Sequence, residues 1–146
     1  MIGWRVGWVV GPAEAVADIA RASISNVVCQ TGIAMEAVAA ALVDPDDGVS
    51  ALAGELERRR DLLLNELGRF RVVPPHGGWS LLVDVSPVGL DGATASRQLL
   101  ERGKIAATPM INWGGPRSAD YVRIVFSNEP VARLRGIGER FRHALG

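Results

Sequence analysis

Residues 49–67 carry the pattern that most constrains how this chain can fold. Val49, Leu52, Ala53, Leu56, Leu63, Leu64 and Leu67 recur at three- and four-residue spacing, while Glu55, Glu57, Arg58, Arg59 and Asp61 fall mostly between them. That period puts the apolar side chains on one stripe of a long amphipathic helix and leaves its charges on a solvated face. Gly68 is placed to end it. The helix also divides the chain, because the texture before it is helical and alanine-rich, whereas after it strand-like and helix-like stretches alternate.

On the N-terminal side, residues 4–10 form an apolar, β-branched run closed by Gly11-Pro12, which predicts a strand ending in a turn. Val16, Ile19, Ala20 and Ile24 predict a helix over 13–24, and a second alanine-rich helix follows over 31–42. It stops in the polar turn 44–48. On the C-terminal side, strands are expected over 70–73, 79–85, 105–108 and 121–126, with helices over 93–102 and 130–145. Three or four strands with two helices make a small α+β domain. The expected division is 1–47, the helix 48–67, and 68–146.

Composition narrows the class of partner. Formal net charge is zero, which disfavours an electrostatic nucleic-acid or membrane-surface binder. No apolar run approaches bilayer-spanning length and no secretory leader pattern opens the chain, so a cytoplasmic protein is expected. One cysteine, Cys29, and two histidines offer no metal-ligand spacing. The cations are almost all arginine, and Lys104 is the only lysine.

Two arginines have settings suited to anions. Arg5 lies between Gly3 and Gly7, and glycine inside a strand marks a bulge or the close approach of a backbone or ligand. A guanidinium held there matches phosphate or carboxylate through its planar fork. Arg123 alternates with Val122, Ile124 and Phe126, so it points away from the face they share, beside Val125 and Ser127. A strand arginine paired with an acidic neighbour or facing solvent is the other reading of both. The loops around Gly78-Trp79 and Trp113 carry large aromatics, which either line a cleft or cover the core. His76 has no orienting carboxylate near it in sequence that would make it a general base.

In order along the chain, GWRVGWVVGP, SNVVCQTGIAMEAVAAAL, the long helix with ERRRDLL, PPHGGWSLLVDV, IAATPMINWG and VRIVFSNEP resemble the C-terminal part of a class I/II pyridoxal-phosphate aminotransferase. The resemblance covers essentially the whole chain. It implies a fold-type I α/β enzyme, with the end of a large cofactor domain, an interdomain helix and a small α+β domain. It implies that Arg5 clamps the phosphate of pyridoxal 5'-phosphate and that Arg123 holds the substrate α-carboxylate. Gly78, Trp79 and Trp113 would line the substrate pocket, and Asn26 and Gln30 would approach the subunit interface of a homodimer.

The same resemblance puts Met1 just downstream of the lysine that forms the Schiff base with the cofactor. This chain is then expected to be a fragment without transaminase activity of its own, since no role falls on Lys104. Substrates of the parent enzyme would be an amino acid and a 2-oxo acid. TPMINWGG departs from the commoner Pro-Gly turn before the aromatic, so side-chain specificity stays open. Two alternatives stand beside this reading: an aminotransferase-like ligand-binding domain of a transcription regulator, and a non-catalytic α+β binding module.

Overall fold

A computed structural model describes residues 2–45 and 48–146, with Ile2 described through its backbone alone. Met1 therefore lies outside the described residues, as do Asp46 and Asp47 of the expected turn. The chain divides into two units, one ending at Val49 and one spanning Ser50–Gly146.

In the first unit, helices α1 (Ala13–Asn26) and α2 (Gly32–Val43) form where the apolar period places them. Pro12 precedes α1 and its carbonyl accepts from the Val16 amide at 3.0 Å. The expected strand over 4–10 does not form. Ile2–Trp4 is a short 3-10 turn, Arg5 takes a left-handed φ of 56°, and the following residues are irregular. β-branching and apolarity prepare a segment for a sheet, but a strand exists only against a partner edge. The four strands of the described residues pair with one another in the second unit, and this segment is in no ladder with them.

The second unit holds all of α3 (Val49–Glu66) but its first residue, then β1 (Arg71–Val73), β2 (Ser80–Asp84), α4 (Gly92–Glu101), β3 (Thr108–Pro109), β4 (Tyr121–Val125), α5 (Val131–Leu134) and α6 (Ile137–Leu145). The strands make one antiparallel sheet in the order β1-β2-β4-β3. Leu82 stands opposite Arg123, which in turn stands opposite Thr108 on β3. Alternation puts Leu81, Val83, Val122 and Ile124 on the buried face and Leu82, Tyr121, Arg123 and Val125 on the other. The buried face joins Leu63 of α3, Leu67 just past its end, Leu99 of α4 and Phe141 of α6 in one core. Phe70 meets Phe141 edge to face at 5.4 Å.

Two elements depart from the sequence pattern for local reasons. The strand expected over 105–108 is reduced to Thr108–Pro109, because the preceding backbone finds partners in α4. The Ile105 amide donates to the Leu99 carbonyl at 2.9 Å, and the Ser96 hydroxyl donates to the Ala107 carbonyl at 2.7 Å. The closing helix expected over 130–145 is two helices, broken where Gly136 turns left-handed at φ 74°. The Glu66 carboxylate makes that break useful. It accepts from the Gly136 amide at 3.0 Å and the Gly138 amide at 3.2 Å, so the end of α3 caps the start of α6. A Cβ at residue 138 would lie 2.9 Å from the Glu66 carbonyl carbon, so only glycine allows the approach.

Candidate functional site

The uncovered face of the sheet collects the polar chemistry of the second unit. β4 presents Tyr121 and Arg123 there, and the segment after β3 folds back beside them. The Met110 amide donates to the Tyr121 carbonyl and the Trp113 amide to the Met110 carbonyl, both at 3.0 Å. This turn, with Asn112 left-handed at φ 66°, lays the Trp113 ring over Arg123, whose Cζ stands 4.7 Å from the ring centroid. A guanidinium stacked on an indole is attracted by the ring's negative face and held in plane. Beside this pair lies a cleft of about 360 Å³, lined by Leu82, Met110, Trp113, Arg117, Ser118 and Tyr121 among others.

Arg123 has no carboxylate partner among the described residues, and its buried Nε–H has no hydrogen-bond acceptor. The one buried carboxylate on this face is otherwise engaged. Asp84, 2% exposed, accepts from the Ser86 amide at 3.0 Å and the Ser86 hydroxyl at 2.6 Å. Arg71 and Arg117 stand 3.5 and 3.9 Å from its other oxygen. Burial pushes the Asp84 carboxyl up, but the Ser86 hydrogen bonds and the two arginines outweigh it and hold it below the usual aspartate range. Arg123 is thus a half-buried cation with an unused donor, and an unsatisfied buried donor is costly until an anion meets it.

The other residues singled out in the sequence fall in different places. Gly78, at φ 81°, lines a separate recess of about 220 Å³ with His76, Glu57, Arg60, Leu56 and Phe126. Trp79 is exposed, and its carbonyl accepts from the Phe126 amide at 3.0 Å, one step beyond the β2–β4 ladder. Arg123 and Trp113 are therefore brought together, whereas Gly78 and Trp79 sit at the far end of β4. In the first unit Arg5 is exposed and has no ion pair among the described residues. A Cβ at Gly3 or Gly7 would meet nothing within 4 Å. Asn26 ends α1, and the Gln30 side-chain amide reaches the Ser23 hydroxyl at 3.5 Å. Lys104 is exposed, and its Nζ donates to the Glu101 carbonyl at 2.9 Å. Among the described residues no His, Cys, Asp and Glu group could hold a metal ion, and no helix is long and apolar enough to cross a membrane.

Sequence reading did not find Leu82, Met110, Arg117 or Tyr121 as cleft residues. Tyr121 lies two residues before Arg123 and so on the same face, a signal present in the alternation. Leu82 could be found only from the strand register, and Arg117 only from the 3-10 turn Pro116–Asp120 that carries it.

Comparison with known proteins bears on this geometry. The family model for aminotransferase class I and II matches residues 1–137. The chain is 32% identical over 136 residues to the arginine–pyruvate transaminase of Pseudomonas aeruginosa, covering 90% of this chain and 34% of that protein. It is 34% identical over 151 residues to the LL-diaminopimelate aminotransferase of Desulforudis audaxviator, covering 100% of this chain and 37% of the relative. The crystal structure of an aromatic aminotransferase from Pyrococcus horikoshii superimposes with a TM-score of 0.86 at 26% identity, over 99% of this chain and 39% of that one. The chain thus spans little more than a third of the length of the curated relatives it matches.

Proposed function

The chain belongs to the class I and II aminotransferase family, and on that premise we propose that it is part of a pyridoxal-phosphate-dependent transaminase whose substrate α-carboxylate is bound by Arg123. The observation that carries the proposal is the state of that side chain, stacked on Trp113 with a buried Nε–H that no acceptor meets among the described residues. A carboxylate suits it in shape as well as charge, since two parallel N–H groups meet two oxygens. The stacked indole holds the guanidinium plane before the ligand arrives, so less freedom is lost on binding. Fixing the carboxylate fixes the orientation about Cα and hence which of its bonds is presented for reaction.

Within this reading residues 1–47 are the end of the cofactor domain, 48–67 the interdomain helix and 68–146 the small domain. Arg5 is the residue of this chain that fits the cofactor. It is an exposed, fork-shaped cation with no internal partner among the described residues, with open space beside Gly3 and Gly7, and a phosphate dianion suits it. When bound, pyridoxal phosphate supplies the electron sink for a carbanion at the substrate Cα. The lysine bonded to the cofactor in the parent enzyme is read as lying outside this chain. Lys104 is instead read as a surface residue at the end of α4, in keeping with its bond to the Glu101 carbonyl. The exposed apolar side chains Val16, Ile24 and Met35 support a homodimeric parent in which Asn26 and Gln30 lie near the subunit interface.

The test is made in a complete enzyme containing this segment. Arg123→Ala is expected to lower kcat/KM for amino acids roughly a hundredfold, about 2–3 kcal/mol for a lost charge-assisted contact. Cofactor should stay bound, and amines lacking the α-carboxylate should be affected much less. Equal losses for both substrate types would make Arg123 structural. Arg5→Ala should instead weaken cofactor retention, with Arg5→Lys restoring part of it because the fork is lost.

A further inference from the structure

Arg59 differs from its neighbours Arg58 and Arg60 in reaching beyond α3, whereas their side chains bond carboxylates of the same segment. Its side chain is 17% exposed, close to the 23% of Arg60 and far below the 68% of Arg58. Its Nε donates to Glu55 Oε1 at 2.8 Å, and its Nη1 donates to the backbone carbonyl of Ser127 at 2.6 Å. Glu55 is itself held by Arg58, whose Nη2 stands 2.7 Å from Oε2. The Arg58 and Arg59 hydrogen bonds, in that order, hold the Glu55 carboxyl below the usual glutamate range. One carboxylate on α3 therefore aims a guanidinium at the chain just past β4.

That point of attachment matters because two elements end there. Ser127 follows Phe126, whose amide holds the Trp79 carbonyl at 3.0 Å. Ser127 stands in the bend two residues past Val125, the last residue of β4, so a tether on its carbonyl holds the C-terminal end of the strand that carries Arg123. Beside the core that Ile124 and Phe126 share with Leu63, the Trp79 loop and the Arg123 strand are thus tied to α3 by a directional, charge-assisted hydrogen bond.

We propose that Arg59 is a positioning residue for the carboxylate site, setting through Ser127 the orientation of β4 and hence of the Arg123 guanidinium. The inference rests on reading Arg123 as the carboxylate-binding group. A bidentate contact tolerates misplacement of only about 0.5 Å or 10–20°. A tether at the end of a stiff strand can therefore govern affinity without touching the ligand.

The experiment is an NMR titration of the full chain with sodium propionate, following the Arg123 Nε–H and Trp113 indole N–H signals. In Arg59→Gln we expect faster exchange of the Phe126 amide, an altered ring-current shift at Arg123 and an affinity for propionate lower by about tenfold. Arg59→Lys, which keeps the charge but not the fork, should fall between. If Arg59→Gln fails to fold, Glu55→Gln decides, since it leaves the guanidinium in place but unaimed; it should weaken binding by about threefold. Unchanged affinity and unchanged Arg123 shift in the folded variant overturn the positioning role while leaving the carboxylate reading intact. No response of Arg123 to propionate in the unaltered chain overturns the carboxylate reading and this inference with it.

Discussion

The two units are built from similar apolar material and use it differently. In the first, α1 buries none of its residues and α2 buries only Ala34, although α2 is apolar almost all round. Ile19 stays 47% exposed and Val10 90%. In the second, each helix longer than two turns sends side chains into one core with the buried sheet face. Helices form wherever local propensity and period allow, but a core needs two surfaces that face each other. A helix apolar on all sides is the kind found inside a larger protein, which agrees with a chain spanning about a third of its relatives' length.

The sharpest way to break the contrast is to empty the core. Phe141→Ala should cost the second unit about 3–5 kcal/mol, because a fully buried aromatic leaves a cavity. Ile24→Ala, at an exposed position of α1, should change thermal stability by no more than about 0.5 kcal/mol. Comparable losses from the two would mean that α1 is packed as tightly as α6. Glycines give a second, smaller contrast. Gly138→Ala should destabilise by about 1–3 kcal/mol through collision with the Glu66 carbonyl and loss of the α3–α6 cap. Gly7→Ala meets open space and should be nearly neutral in chemical denaturation. A Gly138→Ala variant as stable as the parent would show that the α6 N-terminus shifts freely.

Association is the next effect in size. With Trp8, Val16, Ile24, Val28 and Met35 exposed in the first unit, the isolated chain should self-associate, as light scattering would detect. Hydrogen exchange should find its slowest amides in β2, β4 and α6. A monodisperse monomer with α1 amides protected as strongly as β4 would contradict the comparison.

The smallest effect is the response to acid. The Asp84 carboxyl lies below its ordinary value of 3.8, against the pull of burial, through Ser86, Arg71 and Arg117. The Asp91 carboxyl is lowered first by the Thr94 amide that it caps at the start of α4. A depressed folded value means that each contribution is complete above the unfolded value and fades as pH falls through the folded one. Stability of the second unit should therefore decline below about pH 4. Asp84→Asn should flatten that decline; an unchanged acid limb would remove Asp84 from its cause.

Much of this was legible before any coordinates. The 3.6-residue period over 49–67 foretold α3, and the alternation around Arg123 foretold which way its side chain would point. Both are local facts, decided by neighbours in the chain and by backbone geometry. The family was legible too, because ordered short motifs survive as sequence even when each is weak alone. The charge run of α3 was only half legible. Spacing identified it as a polar face, yet it could not reveal that Arg59 leaves that face to bind a carbonyl 68 residues away.

What the tertiary structure decided is what depends on distant partners. The run over 4–10 has the composition of a strand but joins no ladder among the described residues, so it stays irregular. The Ile105 amide and the Ala107 carbonyl bond to α4 instead of β4. The closing helix breaks at Gly136 because Glu66 arrives there to cap the second half. Among the described residues Arg71 and Arg117 are the cations that reach Asp84, and Arg123 has no carboxylate partner. Hydrogen bonding and ion pairing are exclusive: each donor taken by one partner is denied to another, and which partner arrives is settled only when the chain has folded.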